Sequence, residues 1–407
     1  MGPLGDVTVL DLSRILAGPW ATQTLADFGA TVIKIERPDT GDDTRAWGPP
    51  YLKDADGRDT GESAYFASTN RGKQSVAIDI SKPEGRDIVR RLACQADVLV
   101  ENFKVGGCAR FGLAFADLAP VNPRLIYCSI SAFGQTGPAA AAPGYDAMIQ
   151  GRGGLMSLTG LPDGEPGGGP QKTGIAVADL MAGMYALSAI LGALYERERS
   201  GAGQYIDVAL LDSQVAWLAN QGLNYLATGR SPARHGNAHP NIVPYQSFVT
   251  ADGHLMLAVG NDRQFAKFCE AAGCAGLAGD ARFATNASRV AHREALVPML
   301  AEAFAKRTTR DWLVSLEPLG IPCGPINDLE QVFDDPQVRH RAMRIDLPHA
   351  GAGSAPGIRN PALFSRSELQ YSAASPLLGE HTDGVLTARL GIDPRELDRL
   401  RRAGIIR

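Results

Sequence analysis

Asp179 is the one charged residue in a long run of small and apolar residues between Lys172 and Glu196. Such surroundings penalise an ionised carboxylate, so its charge must be compensated by nearby groups or serve in a reaction. One interpretation is structural, because a carboxylate at a helix start accepts hydrogen bonds from free backbone N–H groups. The other is chemical, because a carboxylate with a perturbed pKa is suited to nucleophilic or acid–base work. Features elsewhere in the chain favour the chemical interpretation.

Basic and amide residues that follow or flank predicted strands form a second group with chemical potential. They occur in Lys34-Ile35-Glu36-Arg37, Asn70-Arg71-Gly72-Lys73, Glu101-Asn102-Phe103-Lys104 and at Arg110. Parallel strands end at one edge of a sheet, so these cations are expected to gather there, where Arg and Lys could bind phosphate groups. Taken singly, each of them is better explained as a solvated surface charge. The first strand–helix turn, 11–19, lacks the G-x-G-x-x-G pattern of dinucleotide-binding proteins.

Neither the histidines nor the cysteines predict a metal site. His235 and His239 are four residues apart, but Gly236 and Pro240 interrupt any continuous helical face there. The six cysteines include no C-x-x-C pair, which indicates reduced thiols and a cytoplasmic protein.

The bulk composition is that of a soluble globular protein. A length of 407 residues favours two domains, with 44% hydrophobic and 21% charged residues. A net charge of −4 gives no support for nucleic-acid binding. The apolar stretch around Asp179 is long enough to span a bilayer. Because it is rich in Gly and Ala and is followed by Ser200-Gly201, a buried core helix is expected and no membrane association.

The order of predicted elements indicates an α/β fold with a Rossmann-like, doubly wound large domain and a smaller α+β domain. Predicted strands lie at Val7–Leu12, Thr31–Glu36, Ser75–Ile80, Asp97–Glu101, Arg124–Ser129 and Tyr205–Ala209, with helices at Pro19–Phe28 and Pro83–Ala93. The turn Ala251-Asp252-Gly253 predicts a hairpin in the smaller domain. The large domain is expected to comprise 1–210 and 340–407, and 211–339 a linker helix and the smaller domain.

Taken together, ordered segments across nearly the whole chain resemble the class III CoA-transferases, which include formyl-CoA transferase and carnitine CoA-transferase. The resemblance rests on Val9-Leu10-Asp11, Leu16-Ala17-Gly18-Pro19, 29–36, Asn70-Arg71-Gly72-Lys73, 97–103, Pro143-Gly144-Tyr145-Asp146, the Asp179 helix, 320–325 and Leu378-Gly379-Glu380-His381-Thr382.

The resemblance implies that CoA is transferred between an acyl-CoA donor and a small carboxylic acid acceptor. Asp179 would be the catalytic nucleophile, forming an aspartyl anhydride and then an aspartyl-CoA thioester. The implied CoA-binding residues are Leu16, Ala17, Arg37, Asn70, Arg71, Gly72, Lys73, Asn102, Phe103, Lys104, Arg110, Tyr145 and Asp146. No metal and no cofactor beyond CoA itself is expected. The family also implies an interlocked homodimer, in which each chain threads through a hole in its partner.

The acceptor is expected to be a dicarboxylate of four or five carbons, such as succinate or glutarate. Formyl-CoA transferase has a long glycine-rich flap, whereas this chain passes directly from Pro240 to the predicted hairpin, which makes oxalate and formate poor candidates. Arg71, Arg152 and Arg234 are candidates for binding the second carboxylate.

Two alternatives remain open. The α-methylacyl-CoA racemases share the fold family but have a His-Asp pair where this chain has Tyr145-Asp146. Tyrosine titrates near 10 and is a poor base at neutral pH, so half of the acid–base machinery is missing. A non-catalytic CoA-binding protein is the other alternative, against which Asp179 and the set of cations argue.

Overall fold

The computed structural model describes residues 2–407, which form two compact units. The larger contains residues 2–155, 173–223 and 336–407, and the smaller contains 156–172 and 224–335. The predicted division placed 156–172 in the large domain and 211–223 with the smaller one. Segment 156–172 instead belongs to the smaller unit, where the carbonyl of Gly160 accepts the N–H of Gly236 at 3.0 Å.

A six-stranded parallel sheet forms the centre of the larger unit, in the order β5-β2-β1-β6-β7-β8. Its strands are β1 (Thr8–Asp11), β2 (Thr31–Glu36), β5 (Lys73–Ala77), β6 (Val98–Glu101), β7 (Ile126–Ser131) and β8 (Tyr205–Ala209), and a separate ribbon pairs β3 (Tyr51–Lys53) with β4 (Asp59–Ser63). The order of strands reverses between β1 and β6, and such a reversal opens a crevice at the carboxyl edge of a sheet. The doubly wound sheet expected for the large domain is therefore present.

Helices cover both faces of this sheet. The helices of the larger unit up to residue 216 are α1 (Ala17–Asp27), α2 (Ala64–Ala67), α3 (Pro83–Ala93), α4 (Phe115–Leu118), α5 (Asp146–Arg152), α7 (Val177–Ser200) and α8 (Leu210–Ala216). Two further helices, α6 (Leu155–Leu158) and α9 (Ala219–Thr228), run across the boundaries between the two units. Helices α1 and α7 bury small and aliphatic side chains on one face, and α3 packs on the other. A Cβ atom on Gly183 of α7 would lie 2.6 Å from the Ala17 carbonyl oxygen, so the small residues of α7 permit close packing on α1.

Helix α7 is long and apolar enough to cross a membrane, with a mean hydropathy of 1.7, but 44% of that window is buried inside the molecule. One such helix is weak evidence for a membrane span, because the core helix of a globular protein has the same composition. Ala182, Ala186 and Ile190 belong to the core beside the sheet.

The C-terminal part of the larger unit packs beside β5, the edge strand of the sheet. It contains α16 (Pro336–His340), β12 (Arg344–His349), β13 (Gly353–Ile358), α17 (Thr382–Leu390) and α18 (Pro394–Arg402). Ile406 forms an antiparallel bridge with Ile78, and the N–H of Asp79 donates to the carbonyl of Ile405 at 2.8 Å. The chain end therefore pairs with the residues that immediately follow β5.

A buried ion pair anchors another part of this segment. The Arg71 guanidinium binds both carboxylate oxygens of Asp27, with Nε–Oδ1 at 2.8 Å and Nη2–Oδ2 at 2.6 Å. Its Nη1 donates to the carbonyl of Ile358 at 2.9 Å, and Asn360 donates to Asp27 at 3.3 Å. Arg71 thus joins the C-terminal segment to α1.

The smaller unit combines an antiparallel sheet with helices. Its strands are β9 (Tyr245–Val249), β10 (His254–Ala258) and β11 (Cys323–Pro325), and its helices are α10 (Asp262–Ala271), α11 (Gly276–Gly279), α12 (Asn286–Ala291), α13 (Arg293–Phe304), α14 (Thr309–Leu316) and α15 (Leu329–Asp334). The predicted hairpin is β9–β10. In the core of the smaller unit, the rings of Phe248 and Phe304 stack and Trp312 packs against Phe304.

Within residues 2–407, no cluster of His, Cys, Asp and Glu could hold a metal ion.

Replacing Arg71 by Met tests the anchoring role. Because the substitution strands the buried Asp27 carboxylate, we expect a loss of about 3 kcal/mol in the free energy of unfolding, measured by urea denaturation. Arg124→Met is the control, since its pair with Glu198 is exposed and contributes less than about 1 kcal/mol. Equal losses in both variants would contradict the assignment.

Candidate active site

Two adjoining cavities lie at the carboxyl edge of the sheet, where β1 and β6 end. The first is lined by Leu12, Arg14, Ile35, Glu36, Arg37, Gly41, Asp42, Ile78, Asp79, Ile80, Ser81, Phe103 and Phe111. The second is lined by Arg14, Ile15, Leu16, Ala17, Asn102, Phe103, Lys104, Val105, Arg110, 130–132, 140–145, Asp179 and Leu210. Arg14 and Phe103 line both, so the two cavities meet at these side chains.

The first cavity has a mainly apolar wall with a cation beside it. Ile78 and Ile80 line it together with Phe103, whose ring meets that of Phe111 edge-on at 6.3 Å. Arg37 is half-exposed and pairs with Asp43 at 2.9 Å. This combination suits a flat ring system that carries a phosphate nearby.

The second cavity has uncompensated positive charge. Lys104 and Arg110 are exposed on its wall, and neither forms an ion pair with any residue of 2–407. Leu16 precedes α1 without a side-chain cap, and Ala17 begins that helix, whose first backbone N–H groups favour anions. The second cavity can therefore receive an anionic ligand.

Asp179 lines this second cavity from the first turn of α7. Its side chain is partly buried, and no residue among 2–407 donates a hydrogen bond to its carboxylate. Burial, and secondarily the negative charge of Asp146, raises the pKa of Asp179 to about 7. Close to neutral pH the group is therefore a basic, poorly solvated carboxylate.

Asp146, and not Asp179, caps the start of α7. Its Oδ1 accepts the N–H of Ala178 at 2.8 Å and that of Asp179 at 3.4 Å. Its Oδ2 accepts Nε2 of Gln150 at 2.7 Å. The structural interpretation of Asp179 as a helix-capping carboxylate is wrong, because another acid occupies that position. This leaves the Asp179 carboxylate free for chemistry.

Tyr65 is a neighbour of the two acids that the sequence did not single out. Burial, then the charges of Asp179 and Asp146, raise the pKa of its phenol. Its ring contacts Trp47 edge-on at 5.1 Å. No local pattern marks Tyr65, because it lies in a four-residue helix far from Asp179 in sequence.

The structure does not bring residues 70–73 to either cavity. Lys73 is buried and bound to Asp11 at 3.0 Å and to the Asn70 side chain at 2.9 Å. Arg71 is occupied by Asp27, and the N–H of Gly72 donates to the carbonyl of Ala373 at 3.1 Å. These four predicted CoA-binding residues make interior contacts instead, and the charges of Arg71 and Lys73 are neutralised by acids distant in sequence.

Other predicted residues do line the second cavity. Leu16, Ala17, Asn102, Phe103, Lys104, Arg110 and Tyr145 do so, and Arg37 lines the first. Asp146 lies behind the wall as the cap of α7. Tyr145, at the position of the racemase histidine, is 68% exposed.

Residues 78–81 were missed as wall residues because Ile78 and Ile80 continued the strand predicted at Ser75–Ile80. β5 ends at Ala77, and the next four residues form one wall of the first cavity. Their place directly after a parallel strand was the signal that could have found them.

Two of the three candidates for binding a second carboxylate are paired with acids of this chain, Arg71 with Asp27 and Arg234 with Asp163 within the smaller unit. The third, Arg152, is exposed and lies over the ring of Phe133 at 4.4 Å.

The chain belongs to CoA-transferase family III, whose profile matches residues 4–382. The predicted class of enzyme, a CoA-transferase, is therefore confirmed. It is 52% identical over 384 residues to a succinate–glutarate CoA-transferase of Agrobacterium fabrum, covering 94% of this chain and 95% of that protein. It is 43% identical over 409 residues to the succinyl-CoA:glutarate CoA-transferase of Mus musculus, covering 100% and 91% of the two chains. A CAIB/BAIF family protein from Brucella suis has a similar crystal structure, with a TM-score of 0.83 and 49% identity over 95% of this chain and 99% of that one.

Replacing Asp146 by Asn tests its electrostatic effect on Asp179. Removing the negative charge should lower the pKa of Asp179 from about 7, although burial keeps it above the ordinary value. The measurement is an NMR pH titration of 13C-carboxyl-labelled aspartate, with the resonance assigned by its loss in Asp179→Asn. Asp212→Asn, an exposed first-turn acid on α8, is the control and should leave the titration unchanged. An unaltered midpoint in Asp146→Asn would show that the two acids do not interact.

Proposed function

We propose that Asp179 is the nucleophile through which this enzyme passes CoA from an acyl-CoA to a carboxylic acid. The observation that carries the proposal is a carboxylate without a hydrogen-bond donor, raised in pKa, on the wall of a cavity that also presents free cations. A structural acid would be paired, as Asp27 and Asp11 are. An unpaired, desolvated acid instead fits attack on a carbonyl carbon.

The two cavities together suit the length and chemistry of CoA. The adenine ring would lie against Ile78 and Phe103 in the first cavity, and Arg37, Lys104 and Arg110 would bind the phosphates. The pantetheine arm would then run through the second cavity, where the thioester reaches Asp179. This placement replaces residues 70–73 by 78–81 among the residues proposed to contact CoA.

Covalent transfer then begins with attack of the Asp179 carboxylate on the donor thioester carbonyl. The carbon–sulfur bond breaks, and the products are a mixed aspartyl anhydride and the CoA thiolate. The thiolate attacks the aspartyl carbonyl of the anhydride and expels the donor as its carboxylate. An aspartyl-CoA thioester remains on the enzyme, and no proton needs to be taken up or released in either step.

The acceptor acid then takes these two steps in reverse. Its carboxylate attacks the aspartyl-CoA thioester, which releases the thiolate and forms a second mixed anhydride. The thiolate attacks the acceptor's carbonyl, and Asp179 leaves as a free carboxylate. A pKa of Asp179 near 7 raises its basicity as a nucleophile, while still leaving a large ionised fraction at neutral pH.

For the substrates, we propose succinate and glutarate as acids and their CoA thioesters as donors. The relatives at 52% and 43% identity are named for this pair, which agrees with the dicarboxylate of four or five carbons expected from the sequence. Succinyl-CoA and acetyl-CoA should be compared as donors against a panel of mono- and dicarboxylic acids.

The nucleophile is tested by trapping. The protein is incubated with succinyl-CoA, treated with hydroxylamine or borohydride, and its peptides are analysed by mass spectrometry. We expect the label on Asp179, and we expect Asp179→Asn to lose transfer while keeping its dissociation constant for CoA within about threefold. Asp212→Asn should keep both properties. Sustained turnover without any label on Asp179 would reject the mechanism.

We further propose that the protein is a homodimer in the cytoplasm. Large apolar side chains are exposed on α7, α8 and α9 and just between them, namely Tyr185, Tyr195, Val215, Trp217 and Leu223. A second copy covering them would account for their exposure, as the family's interlocked dimer implies. All six cysteines are free thiols, which suits a reducing compartment.

Analytical ultracentrifugation tests the dimer. We expect dimers that persist at nanomolar concentration, and we expect Trp217→Asp to weaken them because a charge would enter the buried contact. Val121→Asp is the matched control, since Val121 is 44% exposed and Trp217 is 43% exposed. Fully active wild-type monomers would refute the proposal.

A further inference from the structure

Ile15 has a backbone conformation that β-branched residues rarely adopt. Its φ is +73°, in the left-handed region where a Cβ branch is disfavoured. The residue lies in the turn between β1 and α1, and it lines the second cavity. A strained residue persists only where its surroundings hold it, and such residues cluster at functional sites.

A buried ion pair holds Ile15 in this conformation. The Ile15 N–H donates to both carboxylate oxygens of Asp42, each at 3.2 Å. Asp42 is paired with Lys34 at 2.9 Å, and both side chains are fully buried. Lys34 also donates to the carbonyl of Ser13 at 2.8 Å, so the pair contacts the turn at two points.

Asn102 holds the same turn from the other side. Its Oδ1 accepts the N–H of Arg14 at 2.9 Å, and its Nδ2 donates to the Arg14 carbonyl at 2.7 Å. The turn is therefore held at Ser13, at Arg14 and at the Ile15 N–H. Its conformation places Arg14 where the two cavities meet, and Leu16 and Ala17 on the wall of the second.

We propose that Asp42, supported by Lys34, is a positioning residue that holds the 13–16 turn in the shape required to bind CoA. The inference rests on the proposed function, because it assumes that CoA occupies the two cavities. Asp42 borders the first cavity, but its carboxylate is fully buried and is already bonded to Lys34, Thr44 and the Ile15 N–H, so it acts through the backbone of Ile15. Glycine would adopt this φ freely, but it would remove the apolar side chain from the cavity wall.

The test compares CoA binding by calorimetry in four forms of the full-length protein. Asp42→Asn should raise the dissociation constant for CoA about tenfold. This change corresponds to about 1.4 kcal/mol, which is the size of the backbone strain at Ile15 that Asp42 would otherwise offset. Ile15→Gly added to Asp42→Asn should recover most of this loss, because glycine reaches the left-handed region without penalty. Ala342→Gly added to Asp42→Asn is the control, since Ala342 is also left-handed, with φ of +48°, but lies outside both cavities. It should restore no affinity.

Melting temperatures separate positioning from stability. Asp42→Asn will also lower the melting temperature, and the Ile15→Gly rescue should restore affinity without restoring that temperature. If affinity instead follows melting temperature in all variants, or if Ala342→Gly rescues as well as Ile15→Gly, Asp42 is merely structural and the inference is overturned.

A second pair of variants decides the matter should Asp42→Asn fail to fold. Ile15 is only partly buried, so it can be changed without disturbing Lys34. Both variants remove the Ile15 side chain from the cavity wall, but proline forbids a positive φ and glycine permits it. Ile15→Pro should therefore bind CoA more than about tenfold more weakly than Ile15→Gly. Equal affinities in this pair would overturn the inference. A wild-type protein that fails to bind CoA would instead refute the proposed function, and this inference with it.

Discussion

The hydrogen bonds from the start of α7 to Asp146 are the interaction on which the site depends. A helix start leaves backbone N–H groups that need an acceptor, and the nearest candidate in sequence is Asp179 itself. Because Asp146 accepts the N–H groups of Ala178 and Asp179, the Asp179 side chain is released from that task. The same acid adds negative charge beside Asp179 and so raises its pKa. Asp146 thus leaves the Asp179 carboxylate without a capping role and raises its pKa.

Close helix packing fixes where this pair of acids lies. Gly183 lets α7 approach the first turn of α1, where a Cβ atom would meet the Ala17 carbonyl oxygen. The start of α1 and the start of α7 therefore open into one cavity, at the edge where the neighbouring strands β1 and β6 end. The small residues that favoured a buried core helix over a membrane span are those that make this approach possible.

Much of the fold and part of the site could be predicted from the sequence. Alternating strands and helices predicted the parallel sheet, and an isolated charge identified Asp179. Residues 70–73 were misplaced because a basic cluster has the same local pattern whether it faces solvent or a buried acid. The partners that decide the matter, Asp11 and Asp27, lie far away in sequence. Likewise the end of β5 at Ala77 is set by pairing with β2, which no local pattern records.

The bridge between Ile78 and Ile406 has a consequence for how the protein matures. Residues 78 and 79 line the first cavity, yet their backbone partners lie more than three hundred positions later along the chain. During synthesis from the N-terminal end, the early strands can associate long before those partners exist. A ribosome-bound chain that has already formed the parallel sheet would still lack the backbone partners of this wall. The first cavity is therefore completed only after residues 405 and 406 have been synthesised.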